Sequence, residues 1–262
     1  MRLSDKLPAL FQSTVNPALD ALNQAQVIER LWAKDHRVWK PDPKEIADRL
    51  GWLTVQDQMR QQLGQLQCCV TAAKGLNIKD VVLLGMGGSS LGPEVFRTLF
   101  GSQKVFPRLW VLDSTIPGWV RQVTKAISPS RTLFLVASKS GGTIEVMSLF
   151  AHFWKLVKKA KGNHGGKQFV AITDPGTGLE KMARDYGFGE IFTNPADIGG
   201  RYSVLSLFGL VPAALLGLDI AKLLDRAAGM AERCRQQEDA KANPGAYLGA
   251  VMGSLAKTGR DK

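Results

Sequence analysis

The sequence predicts an α/β fold: a five-stranded parallel sheet with helices on both faces, a helical N-terminal extension and a helical C-terminal segment. Three observations lead there. Short apolar runs recur from Val81 to Thr193, a helical pattern follows each run but the last, and the stretches on either side read as helices. Near-continuous apolar strands joined by helices indicate a parallel sheet covered on both faces, with right-handed crossovers.

Residues 1–75 form the predicted helical extension. Asn16 can cap a helix that has Pro17 at its first position, and Asp42-Pro43-Lys44-Glu45 repeats the signal with a capping-box carboxylate. A third helix is expected from Thr54 with Asp57 to about Lys74, stopping at Gly75. Trp32, Trp39 and Trp52 read as packing residues. The sheet domain spans 76–218, with strands at Val81 to Leu84, Leu109 to Leu112, Leu133 to Ala137, Phe169 to Thr173 and Ile191 to Thr193. Crossover helices begin near Pro93, Pro117, Thr143 and Leu179, and Gly162-Asn163-His164-Gly165-Gly166 reads as a mobile surface loop. Further helices are expected at Ser203 to Leu216, Ile220 to Arg235 and Tyr247 to Lys257, so that 219–262 is a helical segment ending at Gly259-Arg260-Asp261-Lys262.

Composition narrows the function classes. With 262 residues, 45% apolar, the chain can bury the core of one large domain with helical extensions. Its formal charge of +11 would suit nucleic acid, yet the basic residues scatter, and the densest cluster, Lys155, Lys158, Lys159 and Lys161, closes a helix whose carbonyl end favours cations. No nucleic-acid partner is expected. Cys68 and Cys69 are adjacent and Cys234 is distant, which disfavours disulfides and fits a reducing cytoplasm. Met1-Arg2-Leu3-Ser4-Asp5-Lys6 lacks the apolar centre of a signal peptide, and no run reaches membrane-spanning length, so no membrane partner is expected.

The chemistry gathers at two loops. Gly85-Met86-Gly87-Gly88-Ser89-Ser90 leaves the first strand and opens a helix, and Ser138-Lys139-Ser140-Gly141-Gly142-Thr143 leaves the third. Glycines let backbone approach a ligand, and a helix start offers unpaired N–H groups to an anion. Ser138, Ser140 and Thr143 add hydroxyls and Lys139 adds charge, which together suit a phosphorylated small molecule. The plainer reading is that Thr143 caps a helix while Lys139 points into water. A dinucleotide fingerprint begins at Gly85-Met86-Gly87, with Asp113 as the ribose acid, but fails at Ser90; a Walker loop fails because Lys139 precedes its glycines. In Asp197-Ile198-Gly199-Gly200-Arg201-Tyr202-Ser203 the paired glycines allow Arg201 to stabilise charge developing on a substrate oxygen, or Arg201 pairs with Asp197 or Asp174.

Taken in order, Gly-Met-Gly-Gly-Ser-Ser-Leu-Gly, Ser-Lys-Ser-Gly-Gly-Thr and Gly-Gly-Arg-Tyr-Ser resemble the glucose-6-phosphate isomerase family over residues 80–220. Leu31-Trp32-Ala33-Lys34-Asp35 and Trp39-Lys40-Pro41-Asp42-Pro43 resemble the isomerase half of bifunctional transaldolase/glucose-6-phosphate isomerases, although no transaldolase portion is present. The resemblance implies a sugar isomerase (SIS) domain of three-layer type, the first of two, in an enzyme that interconverts glucose 6-phosphate and fructose 6-phosphate through an enediolate without metal or organic cofactor. It implies phosphate contacts from Ser138, Lys139, Ser140 and Thr143, sugar contacts from Gly88 and Ser89, enediolate stabilisation by Arg201, and an orienting role for Glu145 toward a ring-opening histidine.

There are departures as well. Gly142 stands where many relatives carry threonine, and the family's general-base glutamate, ring-opening histidine and a late lysine belong to a second SIS domain, past Lys262. His36, His152 and His164 suit structural or surface roles. The expected partners are therefore a phosphorylated hexose and the second SIS domain, with a homodimer when intact and a fused transaldolase as an option in the parent chain, and these residues alone are expected to bind phosphosugar weakly without isomerising it. The competing readings are a non-catalytic SIS module that senses a phosphosugar and a nicotinamide-dependent dehydrogenase.

Overall fold

The computed structural model describes residues 9–236 and 239–260; Met1 to Lys6, Asp261 and Lys262 lie outside the described residues. In chain order the helices are α1 (Ala9–Gln24), α2 (Val27–Trp32), α3 (Val55–Arg60), α4 (Leu63–Gly75), α5 (Gly88–Phe100), α6 (Pro117–Ala126), α7 (Ile144–Lys161), α8 (Gly178–Asp185), α9 (Leu207–Leu215), α10 (Ile220–Gln236) and α11 (Pro244–Lys257). The strands are β1 (Asp80–Gly85), β2 (Arg108–Leu112), β3 (Thr132–Ala137), β4 (Phe169–Thr173) and β5 (Glu190–Thr193). Two compact units form, one from the residues up to Leu53 together with those from Asp225, the other from Thr54 to Leu224. The sequence division at 75 and 218 follows element content; contact density draws the units at 53 and 224.

In the larger unit all strands run parallel in the order β2-β1-β3-β4-β5, as the apolar runs require. Every residue of β1, β3 and β4 is buried, so both faces must be covered. Val82, Phe134 and Phe169 pack one face against α6, α7 and α8 through Val123, Phe153 and Leu179. Phe134 lies 4.9 Å from the Phe153 ring and 5.1 Å from that of Phe169. Burial of such a side chain contributes about 1.5–3 kcal/mol. On the other side α5 packs against α9, whose residues are all buried. The smaller unit is helical, with α1 on α11 and a core of Val15, Leu19, Ile28, Tyr247 and Ala250. An apolar cleft of about 580 Å³ there is lined by residues such as Leu22, Trp32 and Gly249, and by none of the predicted site residues.

Several local expectations are corrected. Pro17 sits inside α1 and Asn16 is no cap, because Val15 and Leu19 continue one buried stripe through the proline. Glu45 takes φ 60, outside the right-handed region that a residue within a first helical turn must adopt, and Asp42 Oδ1 accepts from the Lys44 N–H at 3.0 Å in a turn instead. The helix expected from Thr54 to Lys74 breaks at Gln61 and Gln62, whose N–H groups bond to Gln58 and Met59 carbonyls and tighten the turn between α3 and α4. Residues 162–168 form a short 3-10 helix with Gly165 and Gly166 buried, in place of a mobile loop. The helix expected near Pro93 starts at Gly88, and the one expected from Ser203 begins as a 3-10 helix at Gly200–Leu205. The last helix starts at Pro244 because Asn243 caps it, accepting from Gly245 and Ala246 N–H groups.

Candidate active site

Strand order decides where a ligand fits. β1 passes to β2 on one side while β3 passes to β4 on the other, so α5 and α7 leave adjacent strands toward opposite faces and open a crevice at their carboxyl ends. Open α/β sheets of this order bind ligands at that switch point. Both glycine-rich loops leave there: one follows β1 and the other follows β3.

At the β3 loop the helix start is left open. Thr143 is the N-cap of α7 but makes no side-chain cap bond; its Oγ1 lies 2.9 Å from Ser138 Oγ instead. The N–H groups of Ile144, Glu145 and Val146 find no acceptor among the described residues. Such a turn carries the positive end of the helix dipole and seats an anion. Gly141 has φ 69, and a Cβ there would meet Thr177 Cβ at 2.5 Å, so only glycine lets the loop lie against the start of α8. Ser138 is buried, whereas Ser140 and Glu145 are exposed.

The β1 loop carries a second start of the same kind, with Gly87 as N-cap and no side-chain cap. Ser89 and Ser90 N–H groups turn back to Met86 and Gly87 carbonyls, leaving the Gly88 N–H without an acceptor among the described residues. Ser89 is buried. A Cβ on Gly88 would stand 2.2 Å from the Gly200 carbonyl oxygen, so the loop after β1 and the segment bearing Arg201 touch backbone to backbone. Ser203 Oγ donates to the Gly200 carbonyl at 2.7 Å and the Gly88 carbonyl at 3.1 Å, stapling the two.

Arg201 is exposed and, among the described residues, makes no ion pair, so neither Asp197 nor Asp174 holds it. Asp174 is taken by Lys139, whose ammonium also donates to the Ala196 carbonyl at 3.0 Å. Lys139 therefore neither points into water nor presents a free charge. The structure joins Gly88 to the Arg201 segment, Ser138 to Thr143, and the β3 loop to the segment after β5; Glu145 and Ser140 face solvent at the edge of this cluster. Sequence reasoning offered Asp174 only as a partner of Arg201, and it missed Ser203 as an organiser. Their contacts span 35 and 115 residues, and only strand order brings them together.

This is a parallel α/β domain with two uncapped helix starts flanking its switch point, a class that holds anionic ligands at the sheet edge. The family model described as phosphoglucose isomerase matches residues 27–253, and the chain belongs to that family. Glucose-6-phosphate isomerase of Prochlorococcus marinus (strain NATL2A) is 32% identical over 240 residues, covering 91% of this chain and 45% of that protein. The enzyme of the same name from Carboxydothermus hydrogenoformans is 34% identical over 193 residues, covering 70% and 41%. The chain thus spans less than half the length of these curated relatives. Among solved structures, a hypothetical protein from Thermus thermophilus superposes with a TM-score of 0.76 at 27% identity, covering 97% of this chain and 57% of that one. A glucose-6-phosphate isomerase from Chlamydia trachomatis shares the fold, with a TM-score of 0.75 at 20% identity over 93% of this chain and 50% of that one. Among the described residues no helix is long and apolar enough to cross a membrane.

Proposed function

We propose that this chain is the phosphosugar-binding part of a glucose-6-phosphate isomerase. The observation that carries the reading is the uncapped α7 turn: three first-turn N–H groups stand open beside the Ser138–Thr143 hydroxyl pair, at the switch point of the sheet. A phosphate dianion seated there accepts from the Ile144, Glu145 and Val146 amides and from the hydroxyls of Ser138, Ser140 and Thr143. Charge-assisted bonds contribute about 1.5–3 kcal/mol each, so a few suffice for micromolar to millimolar binding after association costs.

The sugar then extends toward the open Gly88 amide, with Ser89 beside it. Isomerisation moves a proton between C1 and C2 and builds negative charge on their oxygens. The unpaired Arg201 guanidinium, held on a backbone seated against Gly88, stabilises that charge. Glu145, exposed in the first turn of α7, suits an orienting role toward a second residue. These groups bind and stabilise but do not include a base for the C1–C2 transfer, which supplies about 10²–10⁴ in rate. We therefore infer binding without substantial turnover by these residues alone, and completion of the site by a second SIS domain.

Thermal shift and a coupled assay test this. Glucose 6-phosphate at 100 times its dissociation constant should stabilise the native state by about 2.7 kcal/mol. NAD should leave the midpoint unchanged and turnover should be negligible. Protection by NAD with indifference to sugar phosphates would replace the isomerase reading with a dehydrogenase, and substantial turnover lost in Arg201→Ala would refute the need for an outside base.

A further inference from the structure

We propose that Lys139 and Asp174 act as a clip that sets the spacing between the phosphate seat and Arg201, and that Lys139 is a positioning residue which does not touch the phosphate. This inference rests on the phosphosugar reading above and gives the Lys139 ammonium a different task within it.

The geometry argues from both ends of the pair. The Lys139 ammonium bonds to Asp174 Oδ2 and at the same time to the Ala196 carbonyl at 3.0 Å, so one side chain of the β3 loop grips the ends of two further strands. The backbones repeat the connection: the Ser138 N–H donates to the Ile172 carbonyl at 3.0 Å and the Asp174 N–H to the Lys139 carbonyl at 3.3 Å. Ala196 lies on the segment that passes through the fully buried Ile198 to Gly200, where it meets Gly88. A continuous path thus runs from the α7 turn through Lys139 and Ala196 to Gly200, Arg201 and the β1 loop.

The cost of letting go also favours the clip. The two side chains are 22% and 15% exposed, so both charges are largely withdrawn from water. Asp174 Oδ1 is buried and has no donor among the described residues. If Lys139 swung to a phosphate, both carboxylate oxygens would be left without a partner, and stranding a buried charge is among the more destabilising local changes. The phosphate has open amides at α7 and does not need the lysine.

The experiment measures glucose 6-phosphate and inorganic phosphate affinity by calorimetry for the full chain, for Asp174→Asn, for Lys139→Met and for the double variant, with amide hydrogen exchange on each. Asp174→Asn keeps the side-chain size and an acceptor, and Lys139→Met keeps the apolar stem. The clip predicts that each single variant weakens glucose 6-phosphate by about tenfold, that the double variant is no worse than either, and that 138–143 and 194–201 exchange faster together. Inorganic phosphate, which occupies the α7 turn alone, should change little. A phosphate-contacting lysine predicts the opposite sign for Asp174→Asn, since freeing the ammonium would tighten both ligands, and that result would overturn the clip. If the unaltered chain binds no sugar phosphate, the functional reading fails, and exchange still decides the clip: unchanged rates in 194–201 for both variants would refute it.

Discussion

Gly88→Ala isolates the contact on which the site's assembly depends. The added methyl would lie 2.2 Å from the Gly200 oxygen, 2.4 Å from its carbonyl carbon and 2.9 Å from its Cα, all backbone atoms with no rotamer to give way. Carbon and oxygen need about 3.2 Å or more, so the two backbones must part by roughly 1 Å. Overpacking of this kind costs about 1–3 kcal/mol, against which a better helix former at the start of α5 returns at most about 1 kcal/mol. For a unit of this size the midpoint should fall by about 2–4 °C per kcal/mol. The displacement also carries Arg201 away from the β1 loop, so glucose 6-phosphate affinity should drop with stability. The control is Gly200→Ala on the other side of the same contact, where a Cβ meets nothing within 4 Å and stability should stay within about 0.5 kcal/mol. Calorimetry and ligand titration read both variants. Equal midpoints and affinities for Gly88→Ala and the unaltered chain would refute the backbone contact.

Ser138→Ala removes the 2.9 Å partner of Thr143 and one proposed phosphate contact; it should cost about 0.5–1.5 kcal/mol of stability and weaken glucose 6-phosphate by up to about tenfold, while Ser148→Ala, exposed one turn into α7 with its hydroxyl bonded to the Ile144 carbonyl, leaves affinity unchanged. Burial first, with Glu190 and Cys68 adding to it, pushes the Cys69 thiol up to about 12, whereas Cys68 is exposed. Maleimide at neutral pH should therefore label Cys68 long before Cys69. Because that thiol holds its proton more tightly when folded than its ordinary 9.0, the stability it contributes is intact below pH 9 and is lost between there and about 12, which chemical unfolding across that range would show. Leu91, Val95 and Leu99 form an exposed stripe on α5, next to exposed Tyr202 and Val204, and should drive self-association; light scattering should show Leu91→Lys with Leu99→Lys reducing it, and a monodisperse monomer before mutation would contradict this.

The sheet was legible because each strand is a short apolar run, and the pattern of burial on both faces leaves little choice of architecture. The loop at Ser138 to Thr143 was legible for a similar reason, since its glycines and hydroxyls are local to a helix start. Helix ends in the smaller unit were harder to read. At Asn16-Pro17 and Asp42 to Glu45 the capping signals are real locally, but the buried Val15 and Leu19 stripe and the left-handed Glu45 override them. The contacts that assemble the site had no sequence signature at all. Nothing local to Lys139 names Asp174 as its partner, and nothing in the glycines says that Gly88 and Gly200 touch, because both facts come from parallel strand order.

The central claim is that three separate stretches of chain form one seat for one phosphorylated hexose. Titrating the 15N-labelled chain with glucose 6-phosphate while following backbone amides tests it most directly. The account predicts that Gly88, Ile144 to Val146 and Arg201 shift together along a single binding curve. Shifts confined to one of these turns, or curves with different dissociation constants for each, would contradict it.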